Sequence, residues 1–431
     1  MQSKLIRIAF LLCAVLGTHR VEAALFVVNS PADVDDGNPG DGICQTSGGV
    51  CTLRAALQEA NAFVGSDTIT LQANTTYLIT QSKYLNITDS VYIGGAGVDS
   101  TIIDGNNTAV VTNSLSISQC LDNQACDASH TYNYVTITGL TIQNTGQVEP
   151  AIFNLGTLTI DKCKLTHNKN ATDLQGAAIH NSGNLFLNDS TVIENGAIGQ
   201  AGNTKGGGLY QGIGGTMLIK NSLISANAAD FGGGIYVLGG KVDIINSTIS
   251  GNFSKTDGGG IYATGGLTTL YNATVAFNLA NADDASGGVG GGVYNASQNS
   301  FNVINSIIAM NSYDSVQGQS PLQLSSDCAG TITSQGHNIF GDIDAIRCTV
   351  LGSVTVADPQ LEILRNNGGP TLTHALAAAS PAVDAGNPSG CTDNGGAVLV
   401  TDQRGIRRPS GPHCDIGAFE SDRIFEDGFQ S

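Results

Sequence analysis

The pattern of apolar and polar positions repeats along the middle of this chain, and the repeat predicts the fold. The repeat returns every 25 to 33 residues on an asparagine, found at Asn168, Asn195, Asn227, Asn252, Asn278 and Asn311. Three residues before each lies an aliphatic column, formed by Leu165, Val192, Ile224, Ile249, Val275 and Ile308. Two residues before each aliphatic position lies a column of mainly small residues that begins with Cys163. Three residues earlier still lies another apolar column, which begins with Ile160. Alternation with a period of two indicates strands with one buried face, and repeats of this length indicate a solenoid.

Glycine-rich segments mark the turns of the same repeat. Three glycines, an aliphatic residue and a tyrosine recur four times, starting at Gly206, Gly232, Gly258 and Gly290. Each repeat is too short to bury its apolar face alone, so identical faces must stack. We therefore predict an all-β fold, a right-handed parallel β-helix with strands about 4.8 Å apart. Because asparagine tolerates turn conformations, a second column predicts a stacked ladder at a coil corner: Asn221, Asn246, Asn272 and Asn305.

The alternation also assigns side chains to the outer face. In the strand around Ile249, that residue should point inward and Thr248 outward. The residue after the buried aliphatic of each repeat should also point outward, which gives the column Phe153, His180, Tyr210, Tyr236, Tyr262 and Tyr294. Rings stacked about 4.8 Å apart suit two roles. They can bind sugar rings or a partner protein, or they can brace neighbouring coils.

One helix is predicted, and an acidic loop precedes it. Residues 51–61 carry a single apolar stripe behind a possible N-cap at Thr52, which is typical of a helix that closes the first coil of a solenoid. The loop before it holds four carboxylates: Asp33, Asp35, Asp36 and Asp41. Clustered carboxylates can ligate calcium. The spacing is not that of an EF-hand, because the twelfth position is Cys44, and a polar turn is the alternative. No other cofactor is expected.

The composition excludes several partners. Only 13% of residues are charged, tryptophan is absent, and the formal net charge is −18. Such a surface repels nucleic acid and anionic membranes. It also disfavours a polyanionic substrate unless a cation bridges the two. We expect a monomer.

The N-terminus predicts export. Residues 1–23 combine Lys4 and Arg7, an apolar stretch from Ile8 to Gly17, and small residues before Ala24, which is typical of a cleaved signal peptide. The stretch is too short to span a bilayer, so no transmembrane span is expected. The predicted location is outside the cytoplasm. Near the C-terminus, the segment Arg423–Phe429 resembles short terminal tags of exported proteins, and an ordinary disordered tail is the alternative.

Export makes disulfides plausible. Local spacing suggests four pairs: Cys44 with Cys51, Cys120 with Cys126, Cys328 with Cys348, and Cys391 with Cys414. Cys163 is left over. It occupies a column that elsewhere holds serine or alanine, so we predict a buried free thiol.

Both ends resemble known families of exported bacterial proteins. Residues 51–57 and the following Ala60 and Asn61 resemble the CSLREA domain, although Ala55 replaces a glutamate of that motif. The other end resembles the choice-of-anchor Q family, in segments 334–339, 358–361, 367–371, 374–376, 380–386, 402–405, 408–409 and 414–420. These resemblances imply a protein that is secreted or held on a bacterial cell surface or outer membrane. The glycine repeats are loosely similar to those of polymorphic outer-membrane proteins. The resemblance implies a signal peptide at 1–23, a cap at 24–65, a β-helix at 66–352, a cap at 353–420 and a tail at 421–431.

A catalytic role is the alternative, because pectin-lyase-like β-helices include polysaccharide lyases and glycoside hydrolases. The chain has no arginine between Arg54 and Arg347, and the repeats hold one carboxylate pair, Asp283 and Asp284. A C-terminal cluster could form an acid–base site or a structural ion-pair network: His374, Asp384, Asp402, Arg404, Arg407, Arg408, Asp415 and Glu420. We predict a structural, adhesion, glycan-binding or partner-binding role and assign no catalytic residue.

Overall fold

The chain winds into a parallel β-helix. A computed structural model describes residues 23–63, 65–81, 83–106, 115–117, 133–146, 149–170, 175–197, 203–282, 288–296, 300–314 and 323–421. The predicted leader up to residue 22, Cys120, Cys126, Asp283, Asp284 and the tail from residue 422 lie outside these ranges. Within the described part, no helix is both long and apolar enough to cross a membrane.

Among the described residues, strands account for nearly all of the regular structure, with one helix, α1 (Leu53–Ala62). The strands are β1 (Leu25–Val27), β2 (Ser66–Thr70), β3 (Thr75–Leu78), β4 (Leu85–Ile87), β5 (Ser90–Gly94), β6 (Thr101–Asp104), β7 (Leu115–Ile117), β8 (Tyr134–Thr138), β9 (Thr141–Gln143), β10 (Ile152–Asn154), β11 (Thr157–Asp161), β12 (Lys164–Thr166), β13 (Ile179–Asn181), β14 (Asn184–Asn188), β15 (Thr191–Ile193), β16 (Gly196–Ala197), β17 (Leu209–Gln211), β18 (Thr216–Lys220) and β19 (Leu223–Ser225). They continue as β20 (Ala228–Ala229), β21 (Ile235–Val237), β22 (Lys241–Ile245), β23 (Thr248–Ser250), β24 (Phe253–Ser254), β25 (Ile261–Ala263), β26 (Leu267–Tyr271), β27 (Thr274–Ala276), β28 (Leu279–Ala280), β29 (Val293–Asn295), β30 (Ser300–Ile304), β31 (Ile307–Ala309), β32 (Ser312–Asp314), β33 (Gln323–Ser325), β34 (Cys328–Ser334), β35 (Ile339–Phe340), β36 (Cys348–Leu351) and β37 (Thr355–Val356).

The strands form three sheets, and the first two run along the solenoid while the third contains strands from β16 to β33. In the coil that begins at β21, the chain passes through β21 and β22 in the first sheet, β23 in the second and β24 in the third. Each of these strands pairs in parallel with its counterpart in the next coil. The predicted register is confirmed, since Ile249 pairs with Ile224 on one side and with Val275 on the other. All three side chains are buried in one continuous core.

The asparagine ladder forms, but along a different column from the one we predicted. It follows the repeat-ending asparagines, where Nδ2 of Asn227 donates to Oδ1 of Asn252, and Nδ2 of Asn252 donates to Oδ1 of Asn278, both at 2.9 Å. The last amide, on Asn311, donates to the carboxylate of Asp327 at 2.9 Å. The buried amides therefore satisfy one another from coil to coil.

The corner column that we expected to stack does so at one step, where Nδ2 of Asn305 donates to Oδ1 of Asn272 at 2.8 Å, and it also has a second role. Asn246 and Asn272 adopt left-handed backbones, with φ of 45° and 51°, so the turn prediction is correct. Their side chains, however, donate to the carbonyls of Thr401 and Thr392, at 2.8 and 2.9 Å. These asparagines anchor the C-terminal segment.

The C-terminal segment, residues 357–421, lies along the flank of the solenoid over the second sheet. The disulfide between Cys391 and Cys414 staples it, as expected. Thr248 lies beneath it with 0% exposure, and its hydroxyl donates to Oε1 of Gln403 at 2.6 Å. The expectation that Thr248 meets solvent is therefore wrong. Its side chain points away from the core, but another part of the chain covers that face.

The first coil is closed by α1, as predicted. Thr52 is the N-cap, and its hydroxyl accepts from the amide of Ala55 at 3.1 Å. The apolar stripe of the helix is buried against the first coils. The disulfides Cys44–Cys51 and Cys328–Cys348 also form. Cys163 is free and buried, and desolvation raises the pKa of its thiol to about 12.

Candidate functional site

The outer aromatic column forms a continuous stack. Strand pairing aligns its six members across six successive coils, in the predicted order. Neighbouring ring centroids are 4.6 to 5.5 Å apart, which is contact distance for aromatic rings. The stack therefore braces the coils along one face of the solenoid.

The centre of this stack has no free ring face. Tyr210 and Tyr236 are only 3% and 4% exposed. Nζ of Lys205 lies 5.5 Å from the ring centre of Tyr236, and the ring of Phe231 lies 5.4 Å from that of Tyr262. Our expectation of an open aromatic ribbon is therefore wrong at its centre, because side chains from neighbouring turns cover rings that point away from the core. A sugar ring has no room to stack there.

The four carboxylates of the acidic loop do not converge on one point. Asp33 forms an ion pair with Arg54 at 2.6 Å, and Asp36 accepts from the amides of Asn38 and Gln45, both at 2.8 Å. Asp41 accepts from the amide of Ile43 and the side chain of Asn38. Among the described residues, no group of three or more acidic, histidine or cysteine side chains is placed to hold a metal ion. The contacts fit the polar-turn interpretation.

The fourth carboxylate, Asp35, instead borders a cleft of about 530 Å³ beside α1. One wall is α1, and the other is the segment that leads into β4 together with the start of that strand. Its lining combines charged, amide, aromatic and aliphatic side chains: Asp35, Arg54, Leu57, Gln58, Asn61, Lys83, Tyr84, Leu85 and Asn86. The cleft is thus the place where the N-terminal cap meets the solenoid.

Arg54 fixes the geometry of this cleft. Its guanidinium is almost fully buried against Asp33, and it also donates to the carbonyls of Tyr84 at 3.0 Å and Lys83 at 3.3 Å. A buried arginine needs such partners, because an unpaired charge is costly inside a protein. The helix therefore holds the opposite wall in place, and the cleft is pre-formed.

An ion pair lies at the mouth of the cleft. Lys83 and Asp35 are 3.0 Å apart, and Gln58 donates to the same carboxylate at 3.0 Å. Burial acts against the charged form, but the hydrogen bonds from Lys83 and Gln58 outweigh it and lower the pKa of Asp35. The two side chains form an ion pair, so the mouth of the cleft is close to neutral overall.

Amide groups and one aromatic ring complete the lining. Asn61 donates to the carbonyl of Asn86 at 2.9 Å and accepts from the amide of Thr88 at 2.8 Å, while Asn86 itself is exposed. The half-buried Tyr84 donates to Glu149 at 3.1 Å, which orients its ring. This arrangement can offer a flat apolar face and several polar groups to one small ligand.

Sequence reasoning gave Asp35 a possible role in calcium binding and placed Arg54 to Asn61 on the predicted helix, but it assigned none of the lining residues to a cleft. The wall formed by Lys83, Tyr84 and Asn86 lies between 22 and 32 residues further along the chain than the helical residues Asn61 and Arg54. That segment carries no motif, so no signal in the sequence linked it to α1.

The charged C-terminal cluster forms a structural network. Arg408 and Glu420 pair at 2.9 Å and are both almost fully buried, and Arg408 also donates to the carbonyl of Gly417 at 2.8 Å and to Asn246 at 3.0 Å. Arg404 pairs with Asp402 at 2.7 Å. These bonds tie the segment to itself and to the solenoid. The structural alternative therefore fits better than an acid–base site.

The remaining members of the cluster do not form a shared site. His374 bonds the hydroxyl of Ser250 at 2.8 Å and the carbonyl of Glu362 at 2.7 Å, and burial lowers its pKa. Asp415 accepts from the amide of Asp384 at 2.7 Å, whereas Arg407 is exposed.

Comparisons with known proteins give no family. No protein-family model matches the chain, and no curated protein matches it. Among solved structures, the chain is similar to the crystal structure of pectate lyase Pel9A, with a TM-score of 0.41 and 16% sequence identity, over 94% of this chain and 98% of that one.

Proposed function

We propose that this protein is an exported, non-catalytic β-helix protein that binds a neutral saccharide in the cleft beside α1. The observation that carries the proposal is the lining of that cleft. A sugar ring has an apolar face, which suits the half-buried ring of Tyr84, and hydroxyl groups, which suit amides such as the exposed Asn86. The lining thus matches both surfaces of one sugar unit.

Charge supports a neutral ligand rather than a polyanion. Lys83 and Asp35 at the mouth of the cleft neutralise each other, and Arg54 deeper in the wall is neutralised by Asp33. The whole chain carries a net charge of −18, which repels acidic polymers at long range. The cleft therefore favours uncharged hydroxyl-rich ligands.

The disulfides support export. Bridges at Cys44–Cys51, Cys328–Cys348 and Cys391–Cys414 hold the two ends of the solenoid, and such bridges persist in extracellular or periplasmic compartments. The leader at 1–23 and the resemblance to exported families agree with this location. A secreted or surface-held solenoid with a saccharide cleft suits adhesion.

The test is a glycan array probed with the chain beginning at Ala24, followed by calorimetric titration of the best saccharide. We expect Tyr84→Ser to weaken binding by tenfold or more, because truncating an aromatic residue that anchors a ligand typically costs 1 to 2 kcal/mol or more. The matched control is Tyr134→Ser, an outer-face tyrosine that is 62% exposed and outside the cleft. Equal affinities for the two folded variants would refute the cleft as the binding site.

The same saccharides, together with a polyuronate as a lyase substrate, test the catalytic alternative. Each is incubated with the protein and assayed for unsaturated uronate ends, which a lyase produces, and for new reducing ends, which a hydrolase produces. We expect neither. Turnover that Lys83→Ala abolishes in a folded variant would replace the binding proposal with a catalytic one at the same cleft.

A further inference from the structure

An aspartate occupies an inward position in the first coil. Asp67 and Ile69 of β2 are both buried, and Asp67 is 0% exposed. It pairs with Val91 of β5, and the same column continues through the solenoid as Val135, Leu158, Leu185, Met217, Val242, Thr268 and Phe301. A carboxyl group therefore stands where later coils place mainly apolar side chains.

This carboxyl is only half satisfied in the unprocessed chain. Oδ1 of Asp67 accepts from the backbone nitrogen of Ala24 at 2.8 Å, and Oδ2 has no hydrogen-bond partner. Within the described residues no lysine, arginine or histidine pairs with Asp67, and the charged group that faces it is another acid, Asp89. Burial, and then Asp89, raise the pKa of Asp67. A buried carboxyl with an open oxygen and no cation is costly.

The backbone of Ala24 is held in place independently of the residue before it. Its carbonyl accepts from the amide of Thr68 at 2.8 Å, and β1 follows directly and pairs with β2. Ala23 is exposed, whereas Ala24 is half-buried. Position 24 therefore keeps its place on the first coil whether or not a residue precedes it.

We propose that Asp67 is the receptor for the processed N-terminus: cleavage between Ala23 and Ala24 creates an ammonium group that forms a buried ion pair with this carboxylate. The inference rests on the export proposed above. In the cleavage, a signal peptidase adds water across the peptide bond. Ala23 leaves with the new carboxylate, and the nitrogen of Ala24 becomes an ammonium after taking up a proton.

The product fits the site better than the precursor does. An amide has one proton, which is already directed at Oδ1. An ammonium has three protons and a positive charge, so it can donate to both oxygens and neutralise the carboxylate. Removal of the leader thus completes the first coil, and the precursor is the less stable form.

The test compares a chain that begins at Ala24 with one that carries a single additional glycine before it. The glycine restores the amide and moves the charge one residue outward. We expect the extension to increase the equilibrium constant for unfolding by tenfold or more, which is about 1.4 kcal/mol. In the Asp67→Asn background the same extension should change it less than twofold, because the carboxylate is gone.

A pH profile gives a second readout that needs no substitution. The free α-amine has a pKa of about 7.7 to 8.0, and pairing with Asp67 raises it in the folded state. The advantage of the Ala24 chain should therefore be complete below about pH 7.7, and it should be lost as the pH rises through the higher, folded-state pKa. The extended chain should show no such loss. If the stabilities of the two chains changed with pH in the same way, the proposed ion pair would be refuted.

Mass spectrometry of the exported protein separates this inference from the proposal on which it rests. An N-terminus at Ala24 supports the processing step, and a different N-terminus overturns both the site of cleavage and the ion pair. An N-terminus at Ala24 with equal stability of the two chains overturns the ion pair alone. Saccharide binding is unaffected by either result, because Asp67 does not line the cleft.

Discussion

The buried asparagine ladder should carry a large part of the stability of the central coils, and Asn252→Ala tests it. The substitution removes four hydrogen bonds of 3.0 Å or shorter, besides a longer one of 3.4 Å from Nδ2 to the carbonyl of Ser250. Nδ2 of Asn252 donates to the carbonyl of Ile224 and to Oδ1 of Asn278, both at 2.9 Å, and Oδ1 accepts from the amide and the side chain of Asn227 at 3.0 and 2.9 Å. At about 1 kcal/mol for each bond, we expect a loss of about 4 kcal/mol.

Part of that loss comes from the groups left behind. The amide of Asn227 would be buried without an acceptor, and leaving one such group unsatisfied costs about 1 to 3 kcal/mol. The matched control is Asn302→Ala, because Asn302 lies on the outer face of β30 and is half-buried. We expect the control to stay within about 0.5 kcal/mol of the parent chain.

The assay is urea unfolding followed by circular dichroism, on chains that begin at Ala24. The ladder account expects a clearly lower midpoint for Asn252→Ala than for Asn302→Ala. Free energies of unfolding that agree within about 0.5 kcal/mol would refute the reasoning, since the ladder would then stabilise the protein no more than an outer-face amide does.

Three further predictions follow from burial. Thr248→Asp should destabilise the protein by about 3 to 5 kcal/mol, since it places an unpaired charge beneath Gln403; a melting temperature equal to that of the parent would contradict the covered outer face. Cys163 should react with a thiol reagent only after unfolding, because its thiol is buried and its pKa is raised to about 12; rapid native labelling would contradict this. Burial raises the pKa of Asp327 to about 6, above its usual 3.8, so the folded state binds its proton more tightly than the unfolded state does. The contribution of Asp327 to stability should therefore fall as the pH rises from about 4 to about 6. Asp327→Asn should remove that pH dependence from melting temperatures measured over this range.

The columns that repeat could be predicted from the sequence. The alternation around Ile249 placed the core, the strand register and the order of the aromatic stack correctly, because each coil repeats the environment of its neighbours. The apolar stripe that begins at Leu53 likewise predicted the helix that closes the first coil. Repetition gave each position several independent observations.

Contacts that occur at a single place in the fold, and do not repeat from coil to coil, could not be predicted in the same way. Thr248 alternates like an outward residue, but residues more than 150 positions later cover it. The cleft has the same origin, since Arg54 meets Tyr84 only when the helix folds over the first coil. Local alternation tells which side of a strand a residue faces, and it does not tell what lies against that side.

Hydrogen exchange of the backbone amides, measured with and without the saccharide that binds best on the array, tests the central claim most directly. The account predicts slower exchange on binding in residues 54–61 and 83–86, the two walls of the cleft. Protection confined to the aromatic stack around Tyr262 and Tyr294, with no change in these two segments, would contradict it.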